Sequence, residues 1–579
     1  DRMFNRYYQQ ELNALRELGS EFSRAHPALA PMLSGPASDP DVERLLEGVA
    51  FLTGLLRQKL DDEFPEFVHG LTNLLWPHYL KPIPSTTMVA FSPKVTLKQS
   101  TRIPAGVHLA SVPVGGTSCV YRTSFDVEMH PLTLLDASFQ QPSGKPAEIR
   151  ILFELSGLKL DAWNPASLRF FLAGEYSAAT DLYLMLRRHL RGIVLSPVGK
   201  GGSASLGPEC LKPAGFSEDE SLLRYPHRSF SGYRILQEYF LAPEKFLFLD
   251  LSGLERWEKR GDGNRFELRF EFGDLPFSPP RVRKESFALH ATPAINLFAH
   301  EADPILLDHR QASYLVRPSG ANAANFQIFS VDRVAGFLQG TAQERPYAPF
   351  ESFNPESRDV ASYQTTLRAS PSGNGQDVYL EVAYPPQAGT PVTETLSIRL
   401  TCTNGSLADS LKAGDVRMAT ADSPEYAEFV NITQPTAGAL PGLGGKVLWR
   451  LVSHLGLNYQ SLGRKENLKA ILDLYMLSEG RDRAVTQANR KRIDGIQEVE
   501  SVSADRIVSG TPIRGQEFIL SLRQDHYAGP GDLFLFGCVL DHFLGCYASI
   551  NHFTRTAVRE VMKGDVYRWP ARIGNRPLI

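Results

Sequence analysis

The chain has 579 residues, with 61 Lys+Arg against 64 Asp+Glu for a formal net charge of −3, 42% hydrophobic and 22% charged. That length exceeds one hydrophobic core and, at about 150 residues per domain, predicts roughly four units. The near-neutral charge gives no long-range attraction to nucleic acid or to an anionic membrane. Cys119, Cys210, Cys402, Cys538 and Cys546 are scattered without C-x-x-C spacing, so neither a disulfide framework nor a zinc knuckle is expected.

Residues 1–82 read as a helical segment. Phe4, Tyr8, Leu12, Leu15, Leu18 and Phe22 recur at a spacing of three or four and stripe one face. The segment is charged and amphipathic, without the apolar core of a signal peptide. After a proline-rich break, Asp39 is placed to cap a second helix, with Pro40 at its first position and Asp41 and Glu43 at the positive end of its dipole. Val42, Leu45, Leu46, Val49, Leu52 and Leu56 keep the helical period, and a third helix, "PEFVHGLTNLLW", is expected to end before Pro77. Residues 1–80 hold 12 acidic and 7 basic residues, a local net of −5.

Residues 83–290 and 291–445 read as two β-rich domains of sandwich or barrel-like character. Short runs such as "TTMVAF", "EIRILFEL" and "RFELRFEFGDL" alternate between Gly, Pro and Ser turns, and "ATDLYLMLRRHL" is a helical interruption. In "GYRILQEYFLAPEKFLFLDL", a short helix stops at Pro243 and hands over to a strand-length apolar run, which makes Tyr239, Phe240, Phe246 and Phe248 core residues. Residues 446–579 close as an α/β unit: a helix in "NLKAILDLYM", the strand "GQEFILSL", the apolar helix "GDLFLFGCVLDHFLGCYAS" and the strand "INHFTRTAV". The expected class is α+β and multidomain. The longest apolar run, "LFLFGCVL", falls well short of the roughly 18 residues that span a bilayer, so a cytoplasmic chain without direct membrane insertion is expected.

Candidates for chemistry fail on their spacing. "LPGLGGKV" has Leu440 where a phosphate loop needs its first glycine, and Val447 where it needs Ser or Thr. His290, His300, Glu301, Asp303, Asp308 and His309 are the densest set of possible metal ligands, but "HEADP" lacks the second histidine of a zinc helix. The basic cluster "RDRAVTQANRKR" reads as a solvated loop rather than a nucleic-acid site. The triplets "NGS" and "NIT" carry little weight without a secretion signal. No catalytic residue, cofactor or metal is expected, and a β-sandwich carbohydrate-active enzyme using a carboxylate pair stays as the alternative.

Several long stretches, in order, resemble the TssF (VasA/ImpG) family of type VI secretion baseplate subunits: "MFNRYYQQELNALRELGSEFSRAHPALAPML", "DPDVERLLEGVAFLTGLLRQKLDDEFPEF", "GYRILQEYFLAPEKFLFLDL", "PAINLFAHEADPI", "YAPFESF", "LGLNY" and "FLGCYASINHF". The resemblance implies a non-catalytic wedge protein of a contractile injection system, similar in role to phage-tail wedge proteins. Two copies join one TssG, with TssK, the sheath-linked TssE and the VgrG hub as further partners, in a cytoplasmic baseplate docked to the inner-membrane complex. Two identical chains on one different partner cannot share exact symmetry throughout. Joined to the striped helices, this points to Phe4, Tyr8, Leu12, Leu15, Leu45, Leu46, Val49 and Leu52 as the interface with TssG or the second copy; an intrachain core is the competing use of the same stripe.

Overall fold

Helices α1 (Arg2–Ala25) and α2 (Pro40–Leu75) form the first of two units in the computed structural model, which separates residues 1–80 from a body beginning at Lys81. The described residues are 2–25, 40–225, 230–320, 325–338, 344–350, 361–370, 375–384, 392–441, 462–476, 482–508 and 511–574. The Asp39 cap, the phosphate-loop-like stretch from Gly442 onward and the segment around "LGLNY" lie outside them. The expected third helix is corrected: α2 continues unbroken through Pro65. A proline inside a helix removes one rung of the ladder and strains one turn, and here the flanking residues carry the helix across that gap. Arg16 of α1 meets Glu43 of α2 at 2.6 Å.

The body is built of mainly antiparallel sheets, with parallel pairing between Thr511–Leu522 and His552–Glu560 and between Glu344–Pro349 and Ser362–Ala369. A six-stranded sheet runs in the order Val416–Met418, His108–Ser111, Val120–Thr123, Ala291–Ile295, Thr86–Pro93, Ala427–Asn431, so it takes strands from both sides of residue 290. A five-stranded sheet centred on Arg265–Phe272 and Glu148–Leu155 faces a four-stranded sheet containing Leu168–Leu172 and Phe248–Leu251. Phe170 bridges the two layers, 6.2 Å from Phe153 and 6.3 Å from Phe270. The period-two pattern of "RFELRFEF" explains this, since every second side chain must enter the layer between. A further sheet, around Glu394–Thr403 and Gln327–Leu338, encloses Leu380, Leu396, Ile398 and Leu400.

The six-stranded sheet and this last, eight-stranded sheet are pinned by one side chain in "PAINLFAH". Asn296 is fully buried. Its Nδ2 donates to the Val120 carbonyl and to Asn404 Oδ1, each at 2.8 Å, while its Oδ1 accepts from Thr403 Oγ1 and Asn404 N–H, each at 2.7 Å. All four hydrogen-bonding positions of the amide are thus used. Asn404 belongs to the triplet "NGS", and Asn431 of "NIT" accepts from Gly414 and Val416 N–H. Both are buried, so neither triplet offers a free amide in the folded chain.

Helix α3 (Tyr176–Leu184) matches the expected interruption, and α4 (Ser231–Leu241) passes through a short turn, Pro243–Phe246, into strand Phe248–Leu251. Tyr239, Phe240, Phe246 and Phe248 are buried, as expected of core residues. At the C-terminal end, α5 (Lys465–Tyr475) buries Leu468, Ile471, Leu472 and Tyr475. The basic cluster is corrected from a loop to helix α6 (Arg483–Asp494), capped by Asp482, which accepts from Ala484 N–H. Arg492 within it is buried against Asp532, with Nε 2.9 Å from Oδ2. Helix α7 (Pro530–Gly545) links strand Thr511–Leu522 to the parallel strand His552–Glu560, so the expected α/β unit is a βαβ unit. Gly531 lets α7 start against α3, since a Cβ there would stand 2.1 Å from the Thr180 backbone.

Candidate functional site

Both helices expected to carry the interface form, and the structure sorts their eight side chains into two groups. Leu12 is buried, and Tyr8, Leu15 and Leu46 are half-buried. Leu45, Val49 and Leu52 stand in solvent, at 69%, 39% and 61% exposure. Phe4 falls in α1, with its side chain outside the described set. Burial thus separates the two groups, and only the second is uncovered in the described chain.

Leu56, 62% exposed, completes the second group. At about 100° per residue, Leu45, Val49, Leu52 and Leu56 fall in one narrow sector of α2. The opposite side holds the buried Ala50 and Gly54. Phe51 and Leu55 widen the open sector, at 48% and 42% exposure, and α1 shows Leu18 and Phe22 at 60% and 47%. The interface reading left out Phe51, Leu55 and Leu56. The signal was nevertheless present: from Val42 to Leu56 apolar residues occupy more than one face, and a helix apolar most of the way round needs cover on more than one side. Covering the four stripe residues would contribute on the order of 5 kcal/mol before the costs of association.

The body holds a cavity of about 510 Å³ lined by Ser100, Arg102, Glu128, His130, Arg169 and His290 among others. Its two arginines are already matched. Arg102 pairs with Asp126, and Arg169 binds Asp250 through two bonds of 2.6 and 2.7 Å and Glu220 at 2.7 Å. His130 takes Ser100 Oγ at Nδ1, 2.8 Å away, and its backbone N–H donates to His290 Nε2 at 3.1 Å. Burial pushes the two imidazoles down to about 4 and about 3. They stand neutral at physiological pH and are not tuned for proton transfer there.

The remaining candidate ligands are dispersed. His300 Nε2 is engaged with the Ser319 carbonyl, and Glu301 pairs with Arg399 at 3.6 Å. Asp303 is exposed, with its backbone N–H on the Arg317 carbonyl. Asp308 accepts from Arg310 N–H and Tyr314 O–H, and His309 Nε2 meets the Val392 carbonyl. Among the described residues, no three His, Cys, Asp or Glu side chains converge on one point. The helical face is an open apolar surface, and its chemistry is that of packing.

Comparison with known proteins agrees with that chemistry. A family model described as "Type VI secretion system, TssF" matches residues 1–576. The type VI secretion system component TssF1 of Pseudomonas aeruginosa is 31% identical over 99% of this chain and 98% of its own length. A chain in a type VI secretion TssK–TssF–TssG baseplate subcomplex superposes with a TM-score of 0.74 at 30% identity, covering 92% of this chain and 99% of that one. A chain of a type VI secretion baseplate complex gives 0.61 at 26% identity, covering 99% and 100%. The match runs through the α-helical start, the sheets and the βαβ end alike, and the chain belongs to the TssF family of the type VI secretion system.

Proposed function

We propose that this chain is a structural wedge subunit of the type VI secretion baseplate, in which two copies join one TssG. The wedge contacts TssK and, once assembled, links to TssE and the VgrG hub, so that tube and sheath polymerise on a fixed template. It works in the cytoplasm, on the baseplate docked to the inner-membrane complex, and performs no chemistry of its own. The carrying observation is the open apolar face of α2, Leu45, Val49, Leu52 and Leu56. Supporting it, a relative at 30% identity was solved together with TssK and TssG, and no described helix is long and apolar enough to cross a membrane.

The face is tested by the double substitution Leu45→Asp/Leu52→Asp in the full chain, co-purified with TssG. Both side chains are more than half exposed, so the melting temperature of the free chain is expected to stay within a few degrees of the parent. Capture by TssG is expected to fall about a hundredfold, because two charges would have to be buried without partners. Undiminished capture removes α2 from the interface, and failure of the parent chain to bind TssG removes the baseplate reading.

A further inference from the structure

We propose that strand Ile496–Val508 is a copy-to-copy junction, where two chains pair edge to edge in antiparallel register. The strand is 13 residues long and ends its sheet, bonded on one side to Thr511–Leu522 and lacking a described strand on the other. Its start packs against α5 and α6, and a register shift lies between Ile496 and Glu498. Beyond that point the pairing to Thr511–Leu522 is unbroken, and no described strand pairs with the other edge. Val502 is 50% exposed, Ile507 75%, and Glu500, Ser503, Asp505 and Arg506 are exposed as well. Folded proteins usually blunt such an edge with charged side chains, lysine above all, or with proline, short length or a bulge, and the charges here, Glu498, Glu500, Asp505 and Arg506, are of both signs. From Glu498 to Val508 this strand carries no lysine, no proline and no bulge.

The order of its side chains selects a second copy as the occupant. In a two-fold antiparallel pairing centred on Ser503, residue numbers on facing positions sum to the same value, and both strands present the same face. Glu500 then faces Arg506 of the other copy twice, once on each side of the axis. Val502 faces Ala504 on that same surface, and Val499 faces Ile507 on the other. Neither Glu500 nor Arg506 is engaged in an ion pair among the described residues. Opposite charges directly across a strand pair favour it and like charges oppose it, so the edge is complementary to itself. The copy-to-copy part of the baseplate reading gains a site here, but the inference stands on the edge alone.

The test is sedimentation velocity of the full chain, purified alone, over a concentration series. The parent chain is expected to dimerise with rising concentration. Glu500→Arg alone and Arg506→Glu alone are each expected to weaken the dimer by about tenfold, since each variant places like charges across the axis twice. The double variant, Glu500→Arg with Arg506→Glu, is expected to restore it. A chain monomeric throughout, a dimer that both single variants leave intact, or a double variant that fails to recover would each overturn the proposal. Capture by TssG is expected to be unchanged in all three variants, which separates failure at this edge from failure of the baseplate reading.

Discussion

Replacing Glu238 by alanine is expected to destabilise the folded body by about 3–5 kcal/mol, the usual cost of removing one partner of a buried ion pair. Glu238, on α4, is fully buried. Its Oε2 accepts from Arg234 Nη1 at 2.9 Å and from Lys245 Nζ, and its Oε1 accepts from Leu222 N–H at 2.7 Å. Lys245 is also fully buried, and Arg234 nearly so. Burial, with Arg234 adding to it, pulls the ammonium of Lys245 down to about 8, and Glu238 opposes that pull. Without the carboxylate, two cations and a backbone N–H lose their acceptor in a site that water does not reach. Glu238→Gln keeps the shape and the hydrogen bonds to the backbone but not the charge, so most of the loss is expected to remain. Urea unfolding followed by tryptophan fluorescence checks both variants. A cost under about 1 kcal/mol for the alanine variant contradicts a stabilising role for the carboxylate.

Acid is expected to destabilise the body through the His130–His290 pair. Their folded pKa values lie near 4 and 3, below the ordinary 6.5, chiefly from burial. The contribution is fully present above pH 6.5, where both states are unprotonated. As pH falls below that value the unfolded chain takes up protons that the folded chain refuses, so stability declines until the pH reaches the folded values. Each imidazole contributes a slope of up to about 1.4 kcal/mol per pH unit. Glu128, 3.9 Å from His130 Nε2, is the one carboxylate described at that ring and does not cancel the burial. His290 also accepts the His130 N–H and sits at φ 52°, a conformation that Asn tolerates. His290→Asn is therefore expected to lower stability at pH 7 and to remove about 1 kcal/mol per pH unit from the decline between pH 6 and 4. Equal slopes in parent and variant would show that His290 does not titrate on unfolding.

Much of the fold was legible because local pattern and final burial coincide. The alternation of Arg265–Phe272, the helix-to-strand handover at Pro243 and the strand–helix–strand order of the last segment each follow from one period and one punctuating residue. What escaped the sequence depended on long-range pairing. Thr86–Pro93 sits between strands that come from beyond residue 290 and beyond residue 425, and no local signal carries that. Pro65 fits the first turn of a new helix in sequence, yet the structure carries α2 through it. Arg492 looked like part of a solvated basic run, while Asp532, its buried partner, lies 40 positions further on. At the candidate interface the stripe showed which positions share a face. Only the structure shows that Leu12 is buried while Leu45, Val49 and Leu52 remain open.

If the open face of α2 holds this chain in a wedge with TssG, the molar mass of the co-expressed complex by multi-angle light scattering reads it directly. Two copies of this chain per TssG are expected for the parent, and free chain alone for Leu45→Asp/Leu52→Asp. A parent complex of any other ratio, or a variant that keeps the full two-to-one mass, would contradict it.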